Sequence, residues 1–263
     1  TIFSGFYMAF MLLLFALIFR AVSLEFRSKM ESRAWRRLWD WAFSGSSLLA
    51  TLLFGVAIGN AMWGVPLDER GLFAGSFFDL VGPYQVLVGL LAVAMFAMHG
   101  TMFLFLKTEG AVQDRLGRWT WHTWGAFLVL YMLTTIYTLV RIPRATANFD
   151  RYPWGILIVL VSVLAIANIP RALFQRSYGQ AFLSSSLVIA SLLALLGLAI
   201  YPDIVPASNG AEMSMSVQDA SSSPLTMKIG LLIVAIGFPF VLAYTAVIYW
   251  TFRGKVKLSD HSY

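Results

Sequence analysis

The sequence predicts an all-α fold, a polytopic integral membrane helical bundle with about seven transmembrane helices, forming a single transmembrane domain over residues 1–263. Three observations carry this. Of the 263 residues, 59 % are hydrophobic and only 12 % charged, with a mean hydropathy of +0.75. The apolar residues fall in blocks of about twenty, the length of helix that crosses ~30 Å of hydrocarbon. Basic residues collect in alternate connections between the blocks, as they do when they orient a membrane protein.

Spans are expected near 2–19, 41–63, 81–106, 120–140, 154–170, 181–201 and 229–252. The first begins inside an apolar run with no basic segment before it, so a signal peptide describes it poorly and the chain reads as truncated at its start. The second contains Gly55-x-x-x-Gly59, a spacing of small residues that lets two membrane helices approach, followed by Asn60. The third, "AMFAMHGTMFLFLKTEG", carries His99 beside Gly100 and stops at Lys107-Thr108-Glu109-Gly110. Gly100 would admit a neighbouring helix or a flat ligand. His122 opens the fourth span. The fifth is the shortest and ends at Asn168-Ile169-Pro170, where an irregular end is expected. The polar stretch "PDIVPASNGAEMSMSVQDASSSPLT" follows the sixth and reads either as a connector or as a functional loop. Its Ser223-Pro224 predicts an N-cap with proline at the first helical position. The seventh contains Pro239 after Gly237, which predicts a kink. It ends in Tyr249, Trp250, Arg253, Lys255 and Lys257, an anchor at the membrane surface.

The formal charge is +6, but fourteen of the nineteen Lys and Arg lie in the 20–40, 107–119 and 171–180 connections and the tail after Phe252. This places those segments and the C-terminus in the cytoplasm and argues against nucleic-acid binding. With no cysteine, disulfides, iron–sulfur ligation and thiolate haem ligation are excluded. No repeat of solenoid length and no HExxH, GxSxG or P-loop motif is present, so neither a catalytic side chain nor a metal site is expected.

An ionisable group inside a membrane is a functional candidate by default. For His99 three readings stay open: a hydrogen bond between helices, a proton relay, and haem ligation with His122, which the depth difference of a helical turn or more disfavours. In "FRAVSLEFRSKMESRAWRRLWDW", Trp35, Trp39 and Trp41 read as interfacial anchors of an amphipathic segment, while Arg20 and Glu25 continue an apolar helix and suit a water-filled proton entrance. Glu109, at the end of the His99 helix, joins Arg20, Glu25 and His99 as proton-path or charge-stabilising candidates. Gly55, Gly59 and Gly100 are the helix-packing candidates; Trp35, Trp39, Trp250 and Arg253 are the membrane anchors.

The blocks "FSGFYMAFMLLLFALIFRAVSLEFRSK", "GVAIGNAMWGVPLD", "GSFFDLVGPY", "MHGTMFLFLKTEG", "DASSSPLT" and "FPFVLAYTAVIYWTFRGKV" resemble, in order and spacing, subunit II of cytochrome bd-type quinol oxidases, the group that includes cyanide-insensitive oxidases. The resemblance runs the length of the chain. It implies a respiratory complex in the bacterial cytoplasmic membrane that oxidises quinol, reduces dioxygen to water and draws protons from the cytoplasm. It further implies that haems b and d and the quinol-oxidising loop sit in a partner, subunit I. This chain would then stabilise that partner, border proton or oxygen access, and hold a structural quinone, with lipid and a small accessory subunit as further partners. The family has nine helices, so the seven spans correspond to its third to ninth. Arg20 and Glu25 match its R-x-x-x-x-acid block, and His99, in its fifth helix, is not expected to ligate haem. Two alternatives remain at the level of sequence: a small secondary solute transporter with interrupted fifth and seventh helices, and a self-sufficient b-type cytochrome using His99 and His122.

Overall fold

A computed structural model describes residues 5–256. Lys257 of the expected anchor, the first residues of the first expected span and the C-terminal Tyr263 lie outside them. The helices are α1 (Tyr7–Arg27), α2 (Arg33–Trp63), α3 (Pro83–Lys107), α4 (Gly110–Arg141), the short α5 (Arg144–Arg151), α6 (Gly155–Phe174), α7 (Tyr178–Ile200), the single turn α8 (Val217–Ala220) and α9 (Pro224–Thr251). Seven of these, all but α5 and α8, are long and apolar enough to cross a membrane. A 3-10 turn, Phe77–Leu80, precedes α3, and two short antiparallel strands, β1 (Asp203–Val205) and β2 (Met215–Ser216), lie between α7 and α9.

Within the described residues every expected span overlaps a helix, but several helices outrun it. α2 begins at Arg33 instead of Trp41, and α4 at Gly110 instead of Thr120. Hydropathy marks where hydrocarbon ends, whereas Arg, Glu, Lys and Gln sustain the helical ladder in water. The expected interfacial segment is therefore two helix ends joined by the turn 28–32. Trp35 donates its indole N–H to the Phe26 carbonyl (2.7 Å), and Trp39 packs on Phe26 and Trp35 with ring centroids 5.2 and 5.6 Å away. These two tryptophans fasten α1 to α2, and Arg27 and Asp40 add an exposed ion pair at 2.7 Å. α6 runs through Pro170 to Phe174, so the irregular end expected there is absent. Proline is tolerated inside membrane helices where neighbours satisfy the freed backbone groups. At the start of α9, Ser223 accepts a hydrogen bond from the Thr226 amide and Pro224 takes the first helical position, as its sequence predicts.

The core lies between α3, α4, α6 and α7, where Met98, Met102, Phe127, Ile169, Ala181 and Val188 are fully buried. α2 joins α3 along a seam of small residues. A methyl group added at Gly55 would fall 2.6 Å from Gly89 Cα, and one added at Gly59 would fall 2.8 Å from Gln85 Cα. Among the seven membrane-length helices α9 differs from the other six, since none of its residues is buried.

Connections 28–32 and 108–109 and the chain beyond α9 share the basic face of the bundle. On the opposite face the segments 64–82 and 202–223 fold together into a small cap. Val65, Leu67, Leu80, Val205 and Ala207 are buried in it. Asn209 clasps Leu67 by accepting from its amide (3.1 Å) and donating to its carbonyl (2.6 Å). Arg144 donates to the Ala207 carbonyl at 3.1 Å. The long connection thus has a fold of its own. Partial burial raises the Asp203 carboxyl above the usual carboxylate range, against the lowering effects of the Arg144 guanidinium and a hydrogen bond with Ser214. A carboxyl raised on folding favours the protonated fold, so its contribution is lost as the pH rises through the folded value. Asp203→Asn is therefore expected to slow proteolytic nicking of the cap at neutral pH and to flatten its increase as the pH rises from the ordinary carboxylate value of 3.8. An unchanged pH dependence would place the cause on another group.

Candidate functional site

α3 is an almost unbroken apolar helix whose polar exceptions point at neighbouring helices. Thr101 donates to the Met98 carbonyl (2.9 Å) and meets Thr123 of α4 at 3.2 Å. His99, half-buried and eight residues before the helix ends at Lys107, turns toward α7. Its Nδ1 lies 2.8 Å from the Ser185 hydroxyl, and its ring stacks on Phe182 with centroids 4.6 Å apart and planes at 28°. Ser185 is fully buried and also donates to the Phe182 carbonyl at 2.7 Å.

Beside His99 opens a cavity of about 570 Å³ that includes Gly100, Phe103, Phe182, Lys107, Tyr249 and Gly254 in its wall. The chain beyond α9 closes over its basic end. Lys107 Nζ donates to the carbonyls of Phe252 (2.9 Å) and Gly254 (3.2 Å), the Val256 amide donates to the Lys107 carbonyl (2.8 Å), and Lys255 lies 3.7 Å from the Glu109 carboxylate. Gly254 takes φ +94°, a left-handed conformation that turns the chain back toward α3.

His99 and Glu109 thus belong to one neighbourhood, joined through Lys107 and the 252–256 segment. Arg20 and Glu25 are not brought to it: both are exposed on α1, where the Arg20 guanidinium sits 5.8 Å from the Phe43 ring centre. His122 lies in the fourth turn of α4, and the Thr101–Thr123 bond brings it to roughly one helical turn of His99 in depth. It is exposed and its Nδ1 lies 3.0 Å from the Arg118 carbonyl of its own helix, so the two imidazoles do not converge. Gly55 and Gly59 lie on the α2–α3 seam, where an added methyl group would fall 2.6 and 2.8 Å from backbone atoms of α3. At Gly100 a methyl group would meet nothing within 4 Å of this chain, and the residue borders the cavity. Arg253 lies over the Trp250 ring at 4.1 Å, and Trp250 is exposed.

Sequence reasoning missed Ser185. The signal was the run Ser184-Ser185-Ser186, three hydroxyls in an otherwise apolar helix, of which Ser184 receives a hydrogen bond from Asn168 of α6 at 2.9 Å. It also missed a second cavity, about 130 Å³, on the cap side, with Phe6, Phe10, Asn60, Phe73 and Ile204 in its largely apolar wall. Among the described residues no three His, Cys, Asp or Glu side chains are grouped to hold a metal ion.

The model of the family described as cytochrome bd terminal oxidase subunit II matches residues 1–252. The chain is similar to cytochrome bd-I ubiquinol oxidase subunit 2 of Escherichia coli K12, at 31 % identity over 98 % of this chain and 76 % of that protein. It is also similar to the probable cytochrome oxidase subunit 2 of Haemophilus influenzae, at 29 % identity over 97 % and 75 % of the two chains. With cytochrome bd ubiquinol oxidase subunit 2 of Bacillus subtilis the identity is 25 % over 98 % and 75 %. The chain belongs to the cytochrome bd terminal oxidase subunit II family, whose members are multi-pass membrane subunits of an oxidoreductase complex.

Proposed function

From this membership we propose that the chain is the non-haem half of a respiratory bd-type quinol oxidase, which pairs with and stabilises a haem-bearing subunit I and borders its proton access from the cytoplasm. The observation that best supports pairing is α9: 28 residues of apolar helix with none buried, joined to the bundle by the cap at one end and by Lys107 at the other. In the donor set of this chain, His99 Nδ1 is engaged with Ser185 and His122 Nδ1 lies against its own backbone, which suits haems b and d carried by the partner. Arg20, Glu25, His99 and Glu109 remain the proton-path or charge-stabilising residues, with His99 in the cavity wall, Glu109 two residues beyond Lys107 of that wall, and Arg20 and Glu25 on a separate helix. The basic face is cytoplasmic on this reading, and so is the C-terminus. The apolar cavity lined by Phe6, Phe10 and Phe73 is the place for a structural quinone ring.

The test is a reduced-minus-oxidised absorption spectrum of the complex purified through a tag on this chain, before and after the partner is stripped. Haem bands are expected to leave with the partner. Bands that stay with this chain would overturn the reading and return His99 and His122 to candidacy as ligands.

A further inference from the structure

We propose that His99 is a protonatable site with a fixed tautomer, in which Ser185 is the positioning residue and Nε2 is the atom that takes the proton. This rests on, and deepens, the proton-access reading above.

The hydroxyl of Ser185 has one hydrogen and two neighbours, His99 Nδ1 at 2.8 Å and the Phe182 carbonyl at 2.7 Å. A carbonyl only accepts, so the hydroxyl hydrogen goes to Phe182, and the oxygen lone pairs face His99. Nδ1 must then carry the ring hydrogen and donate it to Ser185. A neutral imidazole has one N–H, so Nε2 is left as the lone-pair nitrogen. Stacking on Phe182 fixes the ring plane, and the adjoining cavity of about 570 Å³ is large enough for several waters. Gly100, which has no Cβ and no neighbour to pack against, keeps the approach open on the same helix.

The charged and titratable groups around the cavity do not pre-empt Nε2. Lys107, one helix with His99, spends its ammonium on the carbonyls of Phe252 and Gly254, and Tyr249 of α9 is the other titratable group in the wall. α7 presents Phe182 and Ser185, while its Tyr178 stacks on Phe105 instead. α4 contributes no residue to the wall. Glu109 and Lys255, near the wall residues Lys107 and Gly254 in sequence, lie 3.7 Å apart and do not line the cavity. A proton arriving through the cavity adds to the Nε2 lone pair and gives an imidazolium with Nδ1–H still donated to Ser185. Its release from Nε2 restores the starting tautomer.

Diethyl pyrocarbonate, which acylates only unprotonated imidazole nitrogen, tests this on the intact detergent-solubilised complex, with His99 and the exposed His122 quantified separately by peptide mass spectrometry. His99 is expected to be modified, several-fold more slowly at pH 5 than at pH 8 after correction for reagent decay. In Ser185→Ala, loss of one typical hydrogen bond should change the His99 rate by about fivefold while His122 is unaffected. No modification of His99 at any pH while His122 reacts, or a rate indifferent to Ser185→Ala, would overturn the proposal. The proton-access reading fails separately: if His99→Gln leaves oxygen consumption and its pH profile unchanged while the modification pattern holds, the site is protonatable but lies off the route.

Discussion

Gly55→Leu is expected to prevent stable accumulation of the chain in the membrane, whereas Gly100→Ala should be close to neutral. At Gly55 even a methyl group would fall 2.6 Å from Gly89 Cα, 2.8 Å from Ala92 Cβ and 2.9 Å from the Val88 carbonyl oxygen. Two of these are backbone atoms, which cannot turn away as the end of a flexible side chain can. α2 and α3 would have to separate, and the seam continues through Gly59 against Gln85 and Val88. Association of membrane helices depends on close van der Waals contact, since lipid is as apolar as the side chains themselves. Overpacking costs about 1–3 kcal/mol even where side chains can relax, a large share of a stability of roughly 5–15 kcal/mol. Leu should therefore exceed Ala at position 55 in its effect. The measurement is the amount of chain in washed membranes and the thermal midpoint of the purified complex for Gly55→Ala, Gly55→Leu and Gly100→Ala. A Gly55→Leu complex with the wild-type midpoint would refute the seam.

The contrast between those two glycines shows how far the sequence could be read. Seven spans were legible because the requirement for an apolar stretch of about twenty residues is local and set by the solvent. The Ser223-Pro224 start of α9 was legible for the same reason, being a matter of backbone groups within one turn. Gly55 is marked in the sequence by Gly59 four residues on, whereas Gly100 has Phe96 and Leu104 at that spacing, and whether Gly100 is packed or open depends on which helix faces it. Trp35 and Trp39 have the composition of an interfacial belt, yet the turn at 28–32 brings them onto α1. The cap depends on pairs such as Leu67 with Asn209, 142 residues apart, and His99 depends on Ser185, 86 residues away. The helical period says which residues share a face, not which helix that face will meet.

Substitution of Asn60 is expected to rank Asn above Ala and Ala above Asp in the stability of the complex. Asn60 is 1 % exposed, and its amide donates to the carbonyls of Val56 (2.9 Å) and Leu80 (2.8 Å). The Val56 bond is local to α2, but Leu80 closes the 3-10 turn that delivers the chain to α3, so the Leu80 bond fixes where α3 begins relative to α2. Leu80 is itself 2 % exposed, so Asn60→Ala leaves its carbonyl short of a donor. Such a loss costs about 1–3 kcal/mol in a buried protein site, and about 0.6 kcal/mol on average between membrane helices. A loss of about 1 kcal/mol is expected here, because the adjoining cavity of about 130 Å³ is mostly apolar and offers a replacement water few partners. Asn60→Asp is nearly the same shape, so its larger loss would come from chemistry: a carboxylate has no hydrogen to give and would face the Val56 and Leu80 carbonyls with like partial charge. Gln85 reaches Asn60 Oδ1 only at 3.4 Å, a long bond, so a double-mutant cycle between positions 60 and 85 should give a coupling below about 0.5 kcal/mol. Thermal midpoints of the three single variants and the double variant decide the matter. If Asp proves as stable as Asn, the donor role fails and Asn60 is held by shape alone.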